Sequence, residues 1–148
     1  MKNTAFCLAT IISAFLLATP TATRAEANPP VKLAKMRCVR IFGHIVHSLR
    51  ATDRIEDDHI RCTVAATNRG SEPATFTMAL RLDQPATGSA APVKIEEQQK
   101  IDLGTGETSD AEIGIDVSEN LNGCMPFKLT ITVGKATIKK AIDPNCPD

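Results

Sequence analysis

The sequence has 148 residues, 17 basic and 17 acidic side chains, and neither tryptophan nor tyrosine. A neutral chain without a long basic tract argues against nucleic-acid binding, which needs a concentrated positive surface. The missing tryptophan and tyrosine argue against a carbohydrate-binding module, because such surfaces depend on large amphipathic aromatic rings.

The first part of the chain has the layout of a secretory signal peptide. Lys2 gives a short positive start, residues 5–19 form an apolar run, and small residues follow up to Ala25. The run is shorter than the roughly 20 apolar residues of a membrane-spanning helix, which disfavours the alternative of an uncleaved anchor. We predict a signal peptide over residues 1–25, with cleavage after Ala27 as the other option.

The remaining residues, 26–148, form a single predicted domain with no membrane span, located in the periplasm or secreted. This length is enough for one modest hydrophobic core. The short alanine-rich signal and the absence of an Asn-x-Ser/Thr sequence favour a bacterial envelope.

Four of the five cysteines lie in this domain. An even number of cysteines in an exported chain is read first as a set of disulfides. None of them is spaced C-x-x-C, so neither a thioredoxin-like motif nor a zinc knuckle is indicated. We predict two disulfides among Cys38, Cys62, Cys124 and Cys146.

Residues 33–50 follow neither strand nor helix spacing throughout. Val39 and Ile41 alternate with polar residues as in a strand. Other apolar residues lie near helical spacing: Met36, Val39, Phe42, Val46 and Leu49. We predict a strand to about Phe42 and an irregular or short helical segment after it, and a single longer helix is the alternative.

From residue 60 onward, apolar residues alternate with polar ones, and turn sequences separate the alternating runs. Period-two alternation in short runs is typical of antiparallel sheets that bury one face. We predict an all-β, immunoglobulin-like antiparallel β-sandwich of about seven strands, stabilised by disulfides. The predicted strands include residues 60–66, 76–82, 93–103, 111–117, 127–133 and 136–142.

The last two strands predict their own register. Gly134-Lys135 has the composition of a two-residue hairpin turn with glycine at the first central position. From Val133 outward, this register pairs apolar residues with apolar residues and brings Cys124 close to Cys146. We therefore favour a Cys124–Cys146 disulfide that closes the hairpin.

The other two cysteines are then expected to join neighbouring strands. Pairing Cys38 with Cys62 aligns two apolar strand faces and places Met36 opposite Val64. An inter-sheet bridge from Cys62 to Cys124, as in immunoglobulin domains, stays open as the alternative.

Two runs, VAATNRGSEPATFTMALRL and IDLGTGETSDAEIGIDV, resemble a pattern shared by exported bacterial immunoglobulin-like modules. In that pattern a strand ends in Asn-x-Gly, and a later Leu-x-x-Gly-Glu turn enters a strand of alternating aliphatic residues. The matching residues are Asn68, Gly70, Leu103, Gly106 and Glu107, within about residues 60–117. Asn and Gly tolerate the positive φ angles of tight turns. The resemblance implies this fold and an adhesion, spacer or accessory binding role.

All three histidines lie in GHIVHSLRATDRIEDDH, which spans residues 43–59. On a helical turn, residues three apart could share a metal, whereas on a strand they point to opposite faces. The candidate ligands of a transition metal are His44, His47 and His59 with Asp57 or Asp58. We favour a solvated charged loop without a cofactor, because H-x-x-H alone is a loose pattern.

No catalytic arrangement stands out. Ser48 with His47 and Asp53 has no nucleophile elbow to support it. The adjacent acidic residues at 57–58 and 96–97 would point to opposite faces of a strand, unlike the facing carboxylates of a glycosidase. We expect that the chain is not an enzyme.

The sequence therefore predicts an exported, non-catalytic protein-binding or accessory module of the bacterial envelope. Its partner would be an envelope protein, bound through a free sheet edge or through an insert over residues 43–58 that is dispensable for folding. The alternative is a small periplasmic metal-binding protein that uses His44, His47 and His59. An inhibitor of a secreted hydrolase would share this compact form, but no residue favours it.

Overall fold

A computed structural model of the protein describes residues 30–55, 58–117, 121–144 and 146, and the predicted signal peptide lies outside them. The described residues form eight β-strands and no helix. The strands are β1 (Val31–Phe42), β2 (Ile45–Ser48), β3 (His59–Asn68), β4 (Ala74–Gln84), β5 (Val93–Leu103), β6 (Thr108–Asp116), β7 (Phe127–Val133) and β8 (Ala136–Ile142).

The strands form two antiparallel sheets of four strands each. The first sheet has the order β2-β1-β3-β6, and the second has the order β5-β4-β7-β8. Their buried faces share one hydrophobic core, so the molecule is a two-layer sandwich. The all-β prediction is confirmed, with eight strands where about seven were expected, because β2 was not foreseen.

Alternating burial explains why these segments are strands. The even-numbered residues of β3 and, from Phe76 onward, of β4 are buried, and the residues between them are more exposed. Each fully buried aliphatic side chain contributes roughly 1.5–3 kcal/mol, so one face of every central strand has a strong reason to turn inward. The largest fully buried side chains include Ile60, Met78, Leu80, Leu129 and Ile131.

The β7–β8 hairpin has the predicted register. Val133 pairs with Ala136 across the turn, and Phe127 pairs with Ile142 at the far end. Gly134 has a φ of 57°, a left-handed conformation that favours glycine in a two-residue hairpin turn.

The β1–β3 pair departs from the predicted register near its start. Cys38 pairs with Cys62 as expected, but the register shifts between Ala34 and Arg37. The extra residue of this β-bulge removes the predicted pairing of Met36 with Val64.

The segment after Phe42 is a strand, so the prediction of an irregular or short helical segment is wrong. Phe42 pairs with Ile45 across a two-residue turn in which Gly43 has a φ of 56°. The helical spacing misled because the hairpin exposes apolar residues that a helix would have buried.

The structure has the two disulfides that the registers favoured, Cys38–Cys62 and Cys124–Cys146. Two disulfides indicate an oxidising compartment outside the cytoplasm. No helix among the described residues is long and apolar enough to cross a membrane.

The residues of the bacterial module pattern meet at one end of the sandwich. The Asn68 amide, which is fully buried, donates to the carbonyls of Leu103 (3.2 Å) and Glu72 (2.9 Å) and accepts from the Gly70 N–H (2.8 Å). The Asn68 N–H donates to the Glu107 carbonyl (3.0 Å). The pattern therefore encodes a hydrogen-bonded junction between loops of both sheets.

The opposite end of the sandwich is called here the hairpin end. It contains the β1–β2 turn, the start of β3, the end of β6 and the Cys124–Cys146 disulfide. All three histidines lie at this end, where Ile41 pairs with His59.

Candidate functional site

Three large apolar side chains are exposed near the turn of the β1–β2 hairpin. Phe42, Ile45 and Val46 are 58, 55 and 60% exposed. These three residues are called here the hairpin patch. Large apolar side chains clustered in an exposed position are typical of a binding surface.

The hairpin patch covers both faces of the two-stranded ribbon. Phe42 and Ile45 pair with each other and lie on the same face as Cys38, whereas Val46 pairs with Ile41 on the other face. Because β1 lies beside β8 of the second sheet, β2 extends beyond the sandwich and leaves both of its faces uncovered.

The base of the hairpin is held firmly. The Leu49 N–H donates to the Cys38 carbonyl (2.8 Å), which continues the pairing beyond β2. Cys38 is also joined to Cys62 on β3. The patch is therefore presented on a rigid support, which lowers the entropy lost when a partner binds.

The segment that follows β2 crosses to the second sheet and is part of the core. Leu49 is 3% exposed and Ile55 is fully buried. The Ala51 carbonyl accepts from the Asp143 N–H (2.6 Å), and the Leu49 carbonyl accepts from the Lys140 ammonium. The expectation that the insert is dispensable for folding is therefore wrong.

A loop of the second sheet contacts and supports the segment that follows β2. A Cβ at Gly123 would lie 2.0 Å from the Ile55 carbonyl oxygen, so the two backbones are in direct contact. The Gln84 side chain fixes the same loop by donating to the Asn122 carbonyl (2.8 Å) and accepting from the Asn122 N–H (3.0 Å). Cys124 ties the loop to Cys146.

A cleft of about 550 Å³ lies beside β2. It is lined by Arg40, Val46, His47, Ser48, Arg50 and Asp53. The Arg40 guanidinium pairs with the buried Asp58 carboxylate (Nη2–Oδ2 2.9 Å) and donates to the Arg54 carbonyl (2.6 Å). Arg40 thus neutralises a buried acid and anchors the insert.

The structure brings Ser48, His47 and Asp53 to this cleft without aligning them. His47 and Ser48 are neighbours on a strand, so their side chains point to opposite faces. The Asp53 carboxylate accepts from the Arg50 N–H (2.8 Å) and serves the local turn.

The metal candidates are brought to one end but not to one point. His47 pairs with Arg40 and His59 pairs with Ile41, so these two histidines lie on opposite faces of the first sheet. His44 occupies the exposed turn. Asp57 lies outside the described residues, within which no three ligand side chains are grouped for a metal.

His59 and Asp58 have other partners. The His59 ring hydrogen-bonds the Asp116 carboxylate (Nδ1–Oδ1 2.7 Å) across β3 and β6. A Cβ at Gly114 would lie 2.3 Å from His59 Nε2, so glycine makes room for the ring. The Asp58 carboxylate is paired with Arg40.

The adjacent acids at 96–97 lie on opposite faces of β5, since Glu96 pairs with Arg81 and Glu97 with Leu80. The Gln98 side chain donates to the Glu96 carboxylate (2.7 Å). This hydrogen bond, with a smaller contribution from Lys94, lowers the pKa of Glu96, which is an exposed group.

Comparison with known proteins gives the fold only. No protein-family model matches the chain, and no curated protein matches it. Among solved structures, the β-glucosidase EmGH1 of Erythrobacter marinus is 15% identical with a TM-score of 0.52, over 77% of this chain and 15% of that one. A β-glucosidase involved in saponin metabolism from intestinal bacteria is 15% identical with a TM-score of 0.51, over 78% and 16%.

A third structure, CsgH of R. palustris, is 14% identical over 74% of this chain and 93% of that one, with a TM-score of 0.26. The first two matches are to enzymes, so the prediction that the chain is not an enzyme is corrected: this fold does occur as part of enzymes. Because this chain spans only 15 and 16% of the two β-glucosidases, the matches establish no enzyme fold here.

Proposed function

We propose that this protein is an exported immunoglobulin-like module that binds another protein of the bacterial envelope through the hairpin patch. The predicted signal peptide and the two disulfides support action in the periplasm.

The observation that carries the proposal is the exposure of Phe42, Ile45 and Val46 together. Elsewhere in the described residues, the large apolar side chains are buried or partly buried. Because these side chains are 55–60% exposed, each forgoes about half of the roughly 1.5–3 kcal/mol that full burial would contribute. A protein partner that covers the patch would recover that free energy, which explains why the patch is retained on a firmly held hairpin.

The proposal is tested by affinity capture from a native envelope extract followed by mass spectrometry. The wild-type protein is compared with the double variant Phe42→Ser/Val46→Ser. We expect the variant to lose a partner that the wild type captures, while its free energy of unfolding changes by less than about 1 kcal/mol, because both side chains are exposed.

A matched variant with two small changes on the outer face of the second sheet, Thr77→Ser/Thr137→Ser, controls for surface substitution itself. It should capture the partner as the wild type does. Capture of the same proteins by all three forms would show that the hairpin patch is not the binding surface.

A further inference from the structure

The hairpin patch marks the surface, and the backbone of β2 indicates how a partner engages it. We infer that the partner adds an extended segment as a new strand beside β2, with hydrogen bonds to the backbones of Val46 and Ser48. This inference rests on the proposed function and names the class of partner: a polypeptide segment that forms a β-strand and carries aliphatic side chains.

The edge strands of the two sheets differ in composition. Natural sheets protect their edges with charged side chains, because an unprotected edge pairs with other chains. Three of the four edge strands are charged: β5 (Lys94, Glu96, Glu97, Lys100, Asp102), β6 (Asp110, Glu112, Asp116) and β8 (Lys139, Lys140). The fourth, β2, reads Ile-Val-His-Ser and has no acidic, lysine or arginine side chain.

The four edge strands also differ in where they lie relative to the opposite sheet. β5 lies beside β6 and β8 lies beside β1, so each of these edges faces the other sheet. The end of β8 is also bonded to the segment after β2, through the Asp143 N–H and the Ala51 carbonyl. β2 extends past this closed body, which leaves room for an added strand.

The pairing of β2 with β1 determines which backbone groups of β2 are directed to the free edge. In an antiparallel pair, hydrogen-bonded positions alternate with positions whose N–H and C=O point outward. The bond from the Leu49 N–H to the Cys38 carbonyl shows which positions are bonded to β1. Counting back along the register, His47 and Ile45 are bonded to β1, while Ser48 and Val46 direct their N–H and C=O to the free edge.

The side chains beside the free edge of β2 indicate which kind of segment would fit there. An added strand would place alternate side chains next to Val46 on one face and next to Ile45 on the other. Both neighbours are aliphatic, so a segment with aliphatic side chains on both faces fits better than one with a charged face. Main-chain bonds then supply affinity and the side chains supply selectivity.

The inference is tested with isotope-labelled purified protein and two synthetic peptides. One peptide alternates valine and isoleucine, so that both faces are aliphatic, with a lysine and a glutamate at each end, and the other has prolines in its centre. We expect the first peptide to bind and to slow amide hydrogen exchange at Val46 and Ser48 at least about ten-fold. The exchange at His47, which is already bonded to β1, should change little.

Substitution with proline separates the two sides of β2. Ser48→Pro removes an outward N–H and leaves the hairpin patch intact, so it should fold and bind the peptide about ten-fold more weakly, the upper range for one hydrogen bond. His47→Pro removes an N–H bonded to β1, so it should open the hairpin, which circular dichroism and thermal unfolding would register.

Failure of this inference differs from failure of the proposed function. Equal binding of both peptides, protection at β5, β6 or β8 instead of β2, or no binding at all would overturn strand addition. Unchanged peptide binding by Ser48→Pro, together with lost envelope capture by Phe42→Ser/Val46→Ser, would overturn strand addition while supporting the hairpin patch. Unchanged envelope capture by that double variant would overturn the proposed function itself.

Discussion

At the scale of single residues, one position in β1 departs from ordinary strand geometry. Lys35 has a φ of 56°, and among the described residues other than glycine it alone has a positive φ. It lies inside the bulge that shifts the β1–β3 register between Ala34 and Arg37. A left-handed conformation costs an L-residue with a Cβ roughly 1–2 kcal/mol, whereas glycine adopts it freely.

Lys35→Gly is therefore expected to raise the free energy of unfolding by about 1 kcal/mol, measured by urea denaturation. Lys32→Gly is the matched control, because Lys32 is an exposed lysine in a regular part of the same strand. Glycine there should lower stability by about 0.5–1 kcal/mol. Equal loss of stability in both variants would contradict the strain at Lys35.

At the scale of elements, the position of the β1–β2 hairpin depends on the segments that support it. Its support runs from Leu49 and Ile55, through the contact with Gly123, to the loop held by Gln84 and by the Cys124–Cys146 disulfide. Gly123 does not have a positive φ, so the close approach of the Ile55 backbone is the reason that glycine fits there.

Gly123→Ala should destabilise the protein by about 1–3 kcal/mol, because the methyl group has to displace backbone that cannot rotate away. The loss should be concentrated in the segment after β2, and faster amide exchange at Ala51 and Ile55 would record it. Gly88→Ala is the control, since Gly88 has open space around its Cβ position and only its φ of 56° disfavours alanine. Fast exchange after β2 in the control, or none in Gly123→Ala, would contradict this support.

At the scale of the whole molecule, the two ends of the sandwich differ. One end is closed by the buried Asn68 amide, which hydrogen-bonds loops of both sheets. The hairpin end carries the exposed patch, the cleft beside β2 and every histidine. This difference between the ends fits the proposed binding role, because the closed end can stabilise the fold while the hairpin end stays exposed.

This arrangement also bears on the metal hypothesis. Because His47 and His59 lie on opposite faces of the first sheet, a metal held by both is not favoured by the geometry. We expect zinc to shift the thermal midpoint of the wild type and of a His44→Ala/His47→Ala variant equally. Elemental analysis of the purified protein is the second readout. A stoichiometric metal, lost in the variant, would instead favour the metal-binding alternative.

Much of the fold could be predicted because it follows from local patterns in the sequence. Alternating apolar and polar residues, the Gly134-Lys135 turn and the positions of the cysteines predicted seven of the eight strands and one hairpin register, and favoured both disulfides. The strands and the hairpin register depend on residues that are close in sequence or on the period of a strand. The Cys38–Cys62 disulfide joins residues 24 apart in sequence, and it was favoured because it aligns two apolar strand faces.

The hairpin could not be predicted in the same way. The apolar spacing over residues 33–50 fits a helix and a strand about equally, and Gly43-His44 is a weak turn signal. What decides between them is a set of distant partners: Cys62 opposite Cys38, and the second-sheet residues that contact Leu49 and Ile55.

By itself, the sequence predicted an all-β sandwich and favoured the two disulfides that the structure has, because the period of a strand is a local property and the apolar faces indicate which strands pair. Only the tertiary structure decided that β2 is an uncharged, overhanging edge and that Phe42, Ile45 and Val46 are exposed together near the turn of its hairpin. Exposure depends on what lies opposite a residue in space, and a run of apolar letters is the same whether a second sheet covers it or not.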